Sequence, residues 1–307
     1  MPDSLLFIFI QMSSACHNTV TYKFIGQENI IVSSSSGTVT LYKHHKNSQT
    51  LGIIHQWDKL HRHAIDQPSP CTCIATRGDE VIVSAGEDGR INVLHIGQKS
   101  PNPYKDTRDS STINSIIFLK QTEFITVNST GQLKIYDMRL NSSQPSQTLS
   151  LTGDLSPLQC IDKHPGQPHI ITTGGQDGTL VWEVKFHKQN PDHIFTCSED
   201  GSVWHWDGSN VNSVAMATGS APLLAGTGAG SGGGLSTASH FQFGGSGVRE
   251  SSPWLATDIA KNKIEINALV SEDFCNLPVN SLDIEGHSLL CGTDGETILQ
   301  ISLPMLR

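Results

Sequence analysis

Apolar and polar positions alternate along this chain in a period of two, and polar turns interrupt them at intervals. Val81-Ile82-Val83-Ser84 is a short apolar run; after a turn, Ile91 and Val93 flank Asn92. The same alternation places Leu133 and Ile135 around Lys134, and Val39 and Leu41 around Thr40. Period-two patterning predicts strands with one face turned inward. Asp-Gly at 88–89, 177–178 and 200–201 predicts hairpin turns, because Gly enters φ > 0 without steric cost and Asp bonds nearby amides. Counting similar segments gives six turn glycines: Gly37, Gly89, Gly131, Gly178, Gly201 and Gly295. The first three gaps, by subtraction, are 52, 42 and 47 residues. That spacing, with short strands and no helical periodicity, predicts an all-β propeller of four-stranded blades.

The rhythm breaks once. Gly178 and Gly201 are only 23 residues apart, about half a repeat. After Leu180 the expected alternating strand does not arrive, and Val181 to His187 reads instead as the first strand of the next blade. Roughly 20 residues, mainly an outer strand and a connection, are expected to be absent at a seam near 180–182.

Several segments resemble a known family. Gly131 to Asp137 and Gly201 to Asp207 follow the Asp-Gly-x-φ-x-φ-Trp/Tyr-Asp pattern of WD40 repeats, and Phe186 to Pro191 before Ile194 to Cys197 looks like the passage between the first two strands of such a blade. Glu87 to Asn92, Thr126 to Ile135, Ser150 to Asp154, Phe195 to Asp207, Trp254 to Asp258, Ile264 to Ile266 and Cys291 to Asp294 narrow the match. In this order they resemble the small WD40 nucleoporins of the Y-shaped outer-ring subcomplex of the nuclear pore. The resemblance runs from about residue 24 to the C-terminus. It implies a seven-bladed family propeller, here about six blades with one shortened and the N-terminal blade missing. Residues 1–23 form a divergent segment and 24–307 the propeller. An alternative isoform and an imperfect gene sequence both account for the differences. The segment Leu5 to Ile10 is one candidate to pair beside the strands at 279–301, where a propeller commonly closes.

The resemblance also implies function. A non-catalytic scaffold subunit is expected, bound to other nucleoporins of the Y-shaped complex at the nuclear envelope. It would support pore assembly, mRNA export and protein import, with kinetochore and chromosome-segregation roles in mitosis. The alternative is a substrate-binding WD40 adaptor such as a ubiquitin-ligase receptor; that reading predicts an Arg-rich or aromatic pocket, and the arginines here are few and spread out.

Charge and candidate chemistry modify this little. The net charge of −9 over 307 residues argues against direct nucleic-acid binding, which needs a basic face. No apolar run approaches the roughly 20 residues that span a bilayer, and Leu5 to Ile10 lacks the flanks of a signal peptide. Seven cysteines without a regular framework suit a reducing compartment; Cys197 and Cys291 are expected to be buried thiols, and Cys71-x-Cys73 lacks zinc-knuckle spacing. Neither a cofactor nor a small-molecule ligand is expected.

Three further features read as structural. His44-His45 and His61-x-His63 are expected to be solvated loop histidines, while His164 and His187 are candidates for a histidine-to-Asp relay of the WD40 kind. Asp88, Asp177 and Asp200 recur at one place in the repeat, whereas an enzyme needs unlike residues converging on one point. Gly-rich runs at 174–178 and 226–230 lead into no helix with Lys-Ser/Thr, so they lack phosphate-cradling geometry. Trp182, Trp204, Trp206 and Trp254 are expected to pack between blades, and the Gly/Ser-rich stretch 217–246 is expected to be a mobile loop, with an ordered partner contact as the sharper reading.

Overall fold

A computed structural model describes residues 19–26, 28–48, 50–63, 66–98, 111–140, 144–150, 156–177, 179–211, 252–255, 263–271 and 277–303. The segments Leu5 to Ile10 and 217–246, together with Cys16 and Cys275, lie outside the described residues.

The chain divides into two compact units, Met1–Leu155 and Ser156–Arg307. The first contains three antiparallel sheets. Strands β1 (Thr19–Ile25), β2 (Asn29–Ser34), β3 (Val39–His45) and β4 (Thr50–Trp57) pair in chain order. The second sheet has β5 (Cys73–Arg77), β6 (Val81–Ala85) and β7 (Ile91–His95), and the third β8 (Ile113–Phe118), β9 (Glu123–Asn128), β10 (Gln132–Asp137) and β11 (Gln147–Ser150). Strand β1 begins at Thr19, inside the segment 1–23 that lies outside the family resemblance.

The second unit contains two sheets. One has six strands in chain order: β12 (Leu158–Lys163), β13 (Ile171–Asp177), β14 (Thr179–Phe186), β15 (His193–Ser198), β16 (Val203–Asp207) and β17 (Glu265–Val270). The other has β18 (Val279–Glu285), β19 (Ser288–Thr293) and β20 (Ile298–Ser302). Helix is confined, among the described residues, to Asp66 and to short turns at 209–211 and Pro253–Leu255.

Six turn units therefore occupy five sheets among the described residues, not six blades. The reason is β14. Its first residues close a hairpin on β13 through Gln176↔Leu180 and Asp177↔Thr179, and from Val181 onward it pairs with β15. One strand ends one blade and begins the next. A recurrent hydrogen bond fixes where the second role starts. In four hairpins the second turn residue donates its amide to the carbonyl just before or near the blade's first strand: Glu87 to Pro70, Ser129 to Thr112, Gln176 to Pro157 and Asp294 to Pro278. Glu199 donates in the same way to Leu180, which marks Leu180 as the residue before a first strand.

Second strands carry the core. Strands β6 and β15 are buried at every position, and β9 at all but its first. Each has a neighbour on both edges and packing on both faces, so it reads as a continuous apolar run rather than an alternation. Third strands such as β10 alternate buried and half-buried positions over most of their length, as the sequence pattern predicts.

The turns share one geometry. Gly37, Gly89, Gly131 and Gly201 have φ between 71° and 84°, and each donates its amide to the carbonyl three residues back. The last hairpin departs. There Gly295 is not the left-handed residue; Glu296 takes φ 55° and makes the bond to Thr293.

Candidate functional site

The densest polar constellation lies in the first unit and is fully enclosed. His61 Nδ1 donates to Asp88 Oδ1 at 2.9 Å, and its Nε2 lies 3.0 Å from Ser84 Oγ. Asn92 donates through Nδ2 to the Leu60 carbonyl at 3.3 Å. Asp88 also accepts the amides of Arg62 and Arg90 at 2.8 and 3.1 Å. Burial alone would raise the Asp88 carboxyl; the hydrogen bond from His61, its charge and the two amides outweigh burial and hold it below the usual range. Gly86 is required beside this group: a Cβ there would stand 2.5 Å from His61 Nδ1 and 2.8 Å from Asp88 Oδ1.

Ser84, His61 and Asp88 have the connectivity of a hydrolytic triad. Access decides against that use. The side chains of His61 and Asp88 are 0% and 2% exposed, and Ser84 is 0% exposed. A nucleophile must reach a substrate, and this hydroxyl meets only protein. The group is a strut between turns. The main chain extends it: Leu60 and His61 donate their amides to the Gly37 carbonyl, Cys71 donates to Ser34, and Ser33 Oγ donates to the Cys71 carbonyl. The segment 60–71 thereby joins the β2–β3 turn to the β6–β7 turn.

The histidine-to-Asp relay thus sits at His61, a position expected to be a solvated loop histidine. His44 is likewise buried, on β3. His164 and His187 do something else. His164 Nδ1 accepts the amides of Gly166 and Gln167 at 3.2 and 2.9 Å, and His187 Nδ1 accepts that of Asn190 at 2.9 Å. Each imidazole caps the turn between a first and a second strand through Nδ1, and the His187 ring also donates from Nε2 to the Gly286 carbonyl at 2.9 Å. Burial lowers His164 to about 4, with a smaller push from His169.

Asp200 accepts the Ser202 amide at 2.9 Å, a turn role; the side chain of Asp177 lies outside the described residues. The described cysteines, Cys71, Cys73, Cys160, Cys197 and Cys291, are buried free thiols. Burial pushes Cys73 and Cys291 up to about 12.

A second polar cluster lies in the second unit. His193 on β15 sits opposite Asp207 on β16 in the strand register, and His205 is two residues from Asp207 on the same strand. His193 Nδ1 is 2.9 Å from His205 Nε2 and 3.5 Å from Asp207 Oδ1. No sequence spacing announced this group, because the residues meet only through strand pairing.

The four tryptophans after Trp57 separate into two pairs. Trp254 is buried against Phe186 and donates to the Pro191 carbonyl at 2.8 Å, while half-buried Trp206 donates to Thr196 Oγ1. Trp182 and Trp204 instead stand 36% and 38% exposed, contrary to the expectation of packing between blades. Trp204 and Ile266, itself 42% exposed, share one face of the β16–β17 pair, whose register sets Trp204 against Ala268 and Trp206 against Ile266.

Hairpin sheets locked by recurrent turn bonds and a buried His–Ser–Asp strut define a WD40 β-propeller protein, and the WD domain, G-beta repeat family matches residues 177–207. Over 304 residues, 90% of this chain and 77% of the relative, the sequence is 44% identical to nucleoporin Nup43 of Mus musculus. Against nucleoporin Nup43 of Homo sapiens it is 42% identical over 308 residues, with the same shares covered. A nuclear pore complex protein nup43 of Dictyostelium discoideum is 28% identical over 43% of this chain and 36% of its own. The chain belongs to the Nup43 family of nucleoporins.

Proposed function

We propose that this protein is a non-catalytic scaffold subunit of the Y-shaped outer-ring complex of the nuclear pore. It docks on other nucleoporins of that complex at the nuclear envelope and so supports pore assembly, mRNA export and protein import. In mitosis it travels with the complex to kinetochores and serves chromosome segregation. The observation that carries this reading is the 44% identity to a nucleoporin across 90% of the chain. The mechanism is presentation of a surface. Buried second strands and enclosed polar struts hold the sheets stiff, and exposed apolar side chains such as Trp204 and Ile266 are available for contact. An interface of this kind buries on the order of 1,000–2,000 Å² and concentrates its energy in aromatic anchors.

Affinity capture of the tagged full chain from cells tests the proposal. Recovery of outer-ring nucleoporins supports it, and Trp204→Ala with Ile266→Ser is expected to reduce that recovery while the melting temperature stays within a few degrees. Recovery of ubiquitin-ligase subunits without any nucleoporin overturns it. Imaging of the tagged chain through mitosis tests the kinetochore role separately.

A further inference from the structure

We propose that His193, His205 and Asp207 bind one divalent transition-metal ion of the zinc type. Three electron-pair donors converge: all of the ligand atoms lie within 4.8 Å of one another. A tetrahedral zinc with Zn–N and Zn–O near 2.0–2.2 Å sets its donors about 3.3 Å apart. The two shortest separations here, 2.9 and 3.5 Å, bracket that value. Small rotations of the carboxylate and one imidazole would admit the ion.

The scaffold suits a site. All three residues stand on paired strands, which hold side chains more firmly than loops do. The ring of Phe195 stacks on His205 at 4.8 Å and 13°, fixing its orientation. The two imidazoles are 2% and 1% exposed, so water does not compete for them from most directions. The negative charge of Asp192 also acts on His193 and favours a cation there. The Asp207 side chain is 17% exposed, so the cluster opens to solvent on that side, where water can fill the fourth position.

The proton count gives a second argument. A single proton on His193 Nδ1 can point at His205 Nε2 or at Asp207, and it leaves the other facing a lone pair. A dication satisfies all three atoms at once. Two imidazoles and one carboxylate suit zinc, cobalt or nickel; calcium and magnesium prefer all-oxygen sets. A bound ion would clamp the start of β15 to the end of β16.

The full chain, stripped with chelator, is titrated with zinc by calorimetry and with cobalt by visible spectroscopy. One ion per chain is expected, with tetrahedral cobalt bands that lack thiolate charge transfer. Asp207→Asn keeps an oxygen for the Ser209 amide; it and His205→Gln remove a direct ligand and are expected to weaken binding by more than the roughly 10- to 100-fold that losing an outer-shell partner costs. His63→Gln, outside the cluster, should leave binding unchanged. Should His205→Gln fail to fold, Asp207→Asn alone decides. Absence of binding, wild-type affinity in Asp207→Asn, or a thiolate band overturns the proposal.

Discussion

Glu296 occupies the left-handed slot that glycine fills in four sister turns. A side chain there costs about 1–2 kcal/mol relative to glycine, part of it offset by the greater freedom of unfolded glycine. Glu296→Gly is therefore expected to stabilise the protein by about 0.5–1 kcal/mol, seen as a higher urea midpoint at unchanged slope. Gly37→Ala has the opposite sign. Its φ is +74°, and the new Cβ would stand 2.3 Å from the His61 carbonyl oxygen and 2.7 Å from that of Ser69. Asp88→Ala strips an acceptor from two half-buried amides and from buried His61, and should cost about 2–4 kcal/mol in the same assay. His164 supplies a pH dependence. Its imidazole falls from 6.5 to about 4 on folding, so between those values the unfolded chain binds more protons than the folded one. Stability is then level above about pH 6.5 and declines as pH falls toward 4; the difference, at 1.36 kcal/mol per unit, is on the order of 3 kcal/mol. His164→Gln should reduce this decline in melts taken across that range, leaving the part that comes from His205, which burial also lowers to about 4.

Among elements, β14 shows what a repeat pattern can and cannot disclose. The short gap between Gly178 and Gly201 located the seam, and the Glu199 to Leu180 bond falls at that place. What the spacing got wrong was the count, because it took the shortened unit as a sixth blade of its own. Main-chain pairing overrode that, because two cross-strand pairs suffice to attach β13 to a strand already committed to β15. Alternation in β10 and the buried thiols on β15 and β19 were equally legible, since both follow from local pattern. The strut at His61 was not, because its partner Asp88 is 27 residues away and the surrounding Lys59 to His63 reads as a polar loop. His164 and His187 were noticed for the wrong partner: the turn amides three residues on, not a distant carboxylate, take their lone pairs. A form carrying a complete outer strand after β13 should melt higher and more sharply than this chain. Identical transitions in the two would show that the shared strand costs nothing.

For the molecule as a whole, long-range identity to nucleoporins and local geometry supply different parts of the account. Identity names the family, and geometry says why the enclosed polar groups are not its working surface. Exposure of Trp204 is the molecular-scale surprise, since an aromatic strand residue of this pattern was expected to be covered. The bridge made by segment 60–71 has a dynamic consequence. Its main chain holds the Gly37 turn while the His61 side chain holds the Gly89 turn, so neither can open alone. Amide exchange in these two turns should therefore proceed as one event with a common opening energy, whereas the Gly131 turn, outside that bridge, keeps a rate of its own.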